Sequence, residues 1–382
     1  MRILSRTHLV LFTGLSLALM AGAGRVSAAD EKEKATFKRV SFPTCDGMEL
    51  GGTYYPSVPA AGEKDKDAVV MLLHNFSHGG GGGSHKDGWD DLAAKLQKNG
   101  YAVLSFDFRG FGDSKSVSPE FWKFRHNQML KGFRGAKSAE SIDQKDFPRY
   151  YYSFLINDVA AARAFLDRKN DSREVNSSNL IVIGAGQGAT LGALWMAAEM
   201  HRQKDTSPPM IIPQAFPRSM DDPEGRDLAA AIWLTISPNL EGRPLTTALK
   251  AALVEVAREN KVPTAFLYGK NDGKAVNLTL DYLKAITGMN GKRVELKNTG
   301  EKAISSTDLT GSKLITERLS TTSDILKQLS RVMDERGSKE WKKREEEKSR
   351  YFWTASGRAK QLAKLAGEKV VRPIPSGVIG LR

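Results

Sequence analysis

The sequence is poor in the residues that most often announce a function. A single cysteine, Cys45, stands among 382 residues, which excludes an internal disulfide framework and any cysteine-rich zinc site. Six histidines are present and none follows His201. Almost the whole C-terminal half therefore lacks the side chain that most readily accepts a proton near neutral pH. After Met20 no apolar run approaches the ~20 residues that a membrane-spanning helix needs, and no internal repeat is found.

What is present is enough for a core: 40% of residues are hydrophobic and 26% charged. The formal charge of +13 is unevenly spread. Arg2 and Arg6 precede an apolar stretch, Leu9 to Met20, and a small-residue run ending near Ala28. This is the pattern of a signal peptide over residues 1–28, and it predicts an exported protein, periplasmic, envelope-bound or secreted. From Lys339 to Arg382 there are 12 basic and 5 acidic residues. The excess is thus concentrated in an extension, 336–382, with a mixed-sign stretch at Lys339–Lys348 that reads as a solvated helix. Aromatics Trp341, Tyr351, Phe352 and Trp353 lie among its charges. They either dock on the main domain or serve an anionic surface or protein partner; no specific nucleic-acid signal is present.

Between these ends, short apolar runs alternate with helical patterns, the mark of a mostly parallel sheet with helices on both faces. Phe37–Pro56 reads as an antiparallel hairpin. Strands are expected at Val69–Leu73, Ala102–Phe106, Leu180–Ile183, Ala230–Ile236, Thr264–Tyr268 and Arg293–Leu296. Helices are expected at Trp89–Lys98, Phe154–Asp167 and Ala189–Met200, and near Leu245–Glu259 and Leu278–Ile286. Two stretches, about 115–149 and 201–226, break the alternation as insertions. His126 and His201 fall in them and are expected to face solvent. The aromatics Phe121, Trp122, Phe124 and Tyr150–Tyr152 either line a pocket or form the insertion's own core.

Four segments carry a resemblance. They are Thr44–Leu50; Leu72-Leu73-His74-Asn75; Asp107-Phe108-Arg109-Gly110-Phe111-Gly112-Asp113-Ser114; and Pro263–Asp272. In order and spacing, residues 36–335 resemble the α/β-hydrolase fold. The resemblance implies an oxyanion loop at His74, Asn75 and Phe76 with Gln187, a nucleophile elbow at Gly184-Ala185-Gly186-Gln187-Gly188, and a triad acid at Asp272. The elbow of active members reads G-x-S-x-G. Here its centre is Gly186, which has no side chain. The histidine position falls on Lys302 or Ser305, neither of which is a ready base at neutral pH. With Gly186 for the nucleophile and no histidine for the base, Asp272 has nothing to orient.

Other chemistry competes for the same residues. Gly184-x-Gly186-x-x-Ala189 fits a loosened dinucleotide fingerprint, but the acidic residue expected at the end of a strand about 20 positions later is missing. A second possibility is a relocated nucleophile in the glycine-rich loop, Ser77 or Ser84, served by His78 or His85. Five consecutive glycines hold geometry poorly, and no metal motif accompanies these histidines. The expectation is a catalytically inactive hydrolase-like protein serving as a binding or scaffold module, without cofactor or metal. The alternative is an active serine hydrolase using that loop.

Overall fold

The computed structural model describes residues 36–77, 81–206, 224–288, 294–344, 351–353 and 359–361. Residues 1–28, read above as a signal peptide by expectation, His78 and the insertion residues 207–223 lie outside them.

Eight strands form the central sheet: β1 (Lys38–Pro43), β2 (Glu49–Tyr55), β3 (Val69–Leu73), β4 (Ala102–Phe106), β5 (Leu180–Ala185), β6 (Leu228–Leu234), β7 (Thr264–Gly269) and β8 (Gly300–Ile304). Their spatial order is β1-β2-β4-β3-β5-β6-β7-β8. The β1–β2 and β2–β4 pairs are antiparallel, and every later pair is parallel. Strands β3, β4, β5 and β6 are buried along their full length. This explains their continuous apolar runs, because a parallel strand covered on both faces has no polar side.

Alternate residues serve the two faces. Val69, Met71 and Leu73 join a core shared with α2 (Ile156–Asp171), α3 (Gly186–Thr206) and α4 (Thr246–Leu253). Val70 and Leu72 join the other core with α1 (Trp89–Lys98) and α6 (Thr321–Arg336). Helix α5 (Gly273–Thr287) contributes Tyr282 and Ile286 to the first core. Among the described residues no helix is long and apolar enough to cross a membrane.

Three expectations need correction. The last strand is Gly300–Ile304, and residues 294–299 are loop. As an edge strand paired only with β7, β8 keeps Glu301 and Lys302 exposed, so it carries little of the apolar density that betrays a buried strand. His126 is 3% exposed, packed face to face on Phe154 with ring centroids 4.4 Å apart. The stretch 339–344 is not helical. Asn176, Ser178 and Asn170 donate to the backbone carbonyls of Lys339, Glu340 and Lys342 at 2.8, 3.1 and 2.7 Å. Those carbonyls are thereby claimed by tertiary partners.

This C-terminal strap crosses the segment that leads into β5. Trp341 Nε1 donates to Asn170 O, and the buried Arg344 reaches Asp227 and Ser178. The insertion at 115–149 holds only short 3₁₀ turns. It is a packed body nonetheless, with Phe121, Trp122 and Phe147 buried, and Tyr151 and Tyr152 just after it are fully buried too, so most of these aromatics are core.

Candidate functional site

Ligands of open α/β sheets bind where the strands end at their carboxyl edge. At that edge the residues after β3, β5, β6, β7 and β8 converge on a cleft of about 520 Å³. Its walls include Asn75, Gly186, Gln187, Thr235, Asp272 and Gly311.

The strand-to-helix turn from β5 to α3 forms as the glycines demand. Gly186 has φ +52°, a conformation open to glycine without steric cost. A Cβ on Gly188 would lie 2.2 Å from His74 O, and one on Gly184 2.7 Å from Ala189 Cα. Gly186 differs, because the atoms beside it belong to a side chain and not to backbone. A Cβ there would stand 2.0 Å from Asn75 Oδ1 and 2.5 Å from Asn75 Cγ. The carboxamide of Asn75 therefore occupies the space into which a residue at 186 would project. Its Oδ1 also accepts the Gln187 backbone N–H at 3.1 Å.

The family model described as the alpha/beta hydrolase fold matches residues 76–204, about a third of the chain, running from the segment after β3 through the turn and α3. The chain has the α/β-hydrolase fold. It is similar to an esterase of Pyrococcus furiosus at 16% identity, covering 78% of this chain and 93% of that one with a TM-score of 0.44. It is similar also to a serine hydrolase without lid from Xanthomonas campestris (14% identity, 79% and 95% covered, TM-score 0.42). A third is an esterase of the fungus Rhizomucor miehei (13%, 79% and 85%, 0.44). No curated protein matches.

Within the hydrolase fold, the residue after the elbow centre supplies an N–H to the oxyanion hole. Here that donor, Gln187 N, already serves Asn75. The Gln187 side chain is spent on bracing. It donates to Phe76 O at 3.0 Å and Glu241 Oε1 at 2.8 Å, and its Oε1 accepts the Glu241 N–H at 2.7 Å. His74 is buried and points inward. Its Nδ1 pairs with Asn75 O at 2.8 Å, while Nε2 accepts the Phe108 N–H at 3.1 Å. This network assigns the neutral tautomer, and burial lowers the His74 pKa in the same sense.

Asp272 sits at the cleft, but its Oδ1 caps α5, accepting the N–H groups of Lys274 and Ala275 at 3.1 Å each. Lys302 lies inside β8, with Nζ 3.8 Å from Asp324, and Ser305 is exposed just beyond. Neither lines the cleft. The backbone that reaches the elbow from this side is Thr310–Gly311. A Cβ on Gly311 would stand 3.7 Å from Gly186 N and 3.5 Å from Asn75 Nδ2.

The relocated-nucleophile arrangement is not assembled among the described residues. Ser84 is 1% exposed. Its neighbour His85 turns away, with Nδ1 2.7 Å from Asp90 and Nε2 facing Arg39. Ser77 borders the cleft, and His78, its proposed partner, lies outside the described residues. Asp107 acts within its loop, accepting from Ser84 N at 2.6 Å and Asp113 N at 2.9 Å.

Sequence reasoning passed over Thr235, Gly311 and Lys274. Thr235, just after β6, has φ +47° although it is β-branched, and its buried Oγ1 has no hydrogen-bond partner among the described residues. No motif marks it. The only available signal was its place at a strand's carboxyl end.

Proposed function

We propose that this chain is an exported α/β-hydrolase-fold protein without hydrolase activity, and that it works by binding. The observation that carries the reading is the Asn75 carboxamide, seated where a nucleophile at 186 would stand and bonded to the N–H that would serve an oxyanion. Three further features support it. Gly186 offers no nucleophile, no histidine follows His201 in the sequence, and the carboxylate of Asp272 is engaged in capping a helix. A triad needs nucleophile, base and orienting acid within hydrogen-bond reach of one another. Export is supported by the basic, apolar and small-residue order of residues 1–28.

The test is labelling of the folded protein with a fluorophosphonate, followed by peptide mapping, beside a heat-denatured control. The expected result is no labelling above that control. Specific modification of one serine would overturn the reading and name the nucleophile.

A further inference from the structure

The positive excess of residues 29–338 lies in the insertion between β4 and α2. Between Lys115 and Arg149 eight Lys and Arg stand against four Asp and Glu, whereas the rest of residues 29–338 has a net charge of −1. Three of the four acids are matched inside the insertion. Lys115 meets Asp143 at 2.7 Å, Lys123 meets Glu120 at 2.7 Å and Lys131 meets Asp146 at 3.3 Å. Arg125, Arg134, Lys137, Lys145 and Arg149 are exposed and make no salt bridge among the described residues. Against these five cations stands one further acid, Glu140.

Apolar surface accompanies the charge. Met129 and Tyr150 are 44% and 42% exposed, and they touch, with the Tyr150 hydroxyl donating to Met129 Sδ at 3.4 Å. Single exposed apolar side chains are ordinary on a protein surface. A touching pair among cations is the pattern of an interaction site. Lys131, Lys145 and Arg149 flank the pair along the chain, and the Lys131–Asp146 bridge holds the two segments side by side. The mount is firm, because the neighbouring Phe147, Tyr151 and Tyr152 are buried in the first core.

We propose that this face of the insertion docks on an anionic lipid surface. Its lysine and arginine heads meet lipid phosphates, while Met129 and Tyr150 enter the boundary between headgroups and acyl chains. Tyrosine fits that boundary through its apolar ring and polar tip. Lysine and arginine keep their charge in water while their stems lie on apolar surface. An acidic polymer would satisfy the cations but make no use of the exposed methionine and tyrosine, so that pair decides between the two partners. No insertion residue lines the elbow cleft, and the inference stands whether or not the elbow is catalytic.

The experiment is co-sedimentation of the chain from Ala29 onward, which keeps every residue of the described fold, with lipid vesicles. One set is phosphatidylcholine alone, and the other is equal parts phosphatidylcholine and phosphatidylglycerol. The expected result is binding to the anionic set, at least about tenfold weaker binding to the neutral one, and release near 1 M salt, where the screening length falls to about 3 Å. Lys145→Glu/Arg149→Glu should weaken binding at least about tenfold, since each cation near such a surface contributes roughly fivefold. Met129→Ser/Tyr150→Ser keeps the charge and should weaken binding about fivefold or more, through lost apolar burial. The control is Lys327→Glu/Arg331→Glu, which changes the net charge equally at exposed positions of α6, packed on the other core. It should leave binding within about twofold, because charges beyond a screening length of the surface act weakly. The basic extension is intact in every variant, so binding that survives both insertion variants belongs to that extension and overturns the proposal. Equal binding to neutral vesicles, equal loss in the α6 control, or no binding at all overturns it too. Loss in Lys145→Glu/Arg149→Glu without loss in Met129→Ser/Tyr150→Ser would point to an acidic polymer and against a lipid surface.

Discussion

Placing a serine at the centre of the elbow should damage the protein. In Gly186→Ser, the new Cβ would start 2.0 Å from Asn75 Oδ1, so the carboxamide must leave. Its departure breaks the hydrogen bond to Gln187 N, worth about 1 kcal/mol. Serine must also hold φ near +52°, a strain of about 1–3 kcal/mol for a residue other than glycine. Together these predict a loss of roughly 2–4 kcal/mol, measured as the shift in urea midpoint at constant m-value. Asn75→Ala alone should cost about 1 kcal/mol, since it removes the same hydrogen bond without strain. In Asn75→Ala/Gly186→Ser that bond is lost once, not twice, and the collision is gone. The double variant should therefore be more stable than the sum of the singles by about 1 kcal/mol or more. Neither serine-bearing variant should label with fluorophosphonate, for want of a base. Strict additivity, or a Gly186→Ser protein within about 0.5 kcal/mol of the parent, would refute the claim that Asn75 fills the seat. Labelling of Gly186→Ser would refute the claim that the base is gone.

Other perturbations probe the surroundings. Asp272→Ala removes a helix cap and should cost about 1 kcal/mol in urea unfolding, without changing fluorophosphonate labelling. Arg344→Ala leaves Asp227 short of one partner in a buried site; a loss of about 2–3 kcal/mol is expected, together with faster proteolysis at the strap. Within the buried cluster Asp46–Arg109–Asp158–His126, burial raises Asp158 to about 6 and lowers His126. Asp158 therefore gives stability that is lost as pH rises through about 6, whereas His126 gives stability that is lost as pH falls below its unfolded value of about 6.5. Relative to the parent, Asp158→Asn should fare worse at pH 5 than at pH 8 and His126→Gln the reverse. Urea midpoints at the two pH values check both signs.

The sheet was legible because both of its faces are covered. Val69–Leu73 and Leu180–Ile183 are uninterrupted apolar runs, and the glycines after the second mark a turn where backbones nearly touch. Strand β8 was misplaced for the opposite reason: at the edge, with Glu301 and Lys302 exposed, it owes its existence to pairing with β7. His126 was misread because a histidine in a polar stretch carries no sign of its partners. Its pairing with Asp46 at 2.8 Å spans 80 positions, and only the folded chain brings the two together. That the centre of the elbow carries no side chain could be read directly from Gly186. That the Asn75 carboxamide fills the space beside it could not, because an asparagine after a strand-ending histidine has the same letter whichever way its amide turns.

This distinction bears on how the turn at Gly186 stays packed. Removing a nucleophile and a base from a packed edge of the sheet would leave unpaired backbone N–H groups and empty volume, both of which cost stability. At this edge the Gln187 N–H is taken by Asn75, the space beside Gly186 is filled by the same amide, and backbone at Gly311 closes in from the β8 side. The reorganised turn is therefore internally satisfied on its elbow side. Thr235 Oγ1 nearby stays buried without a partner among the described residues.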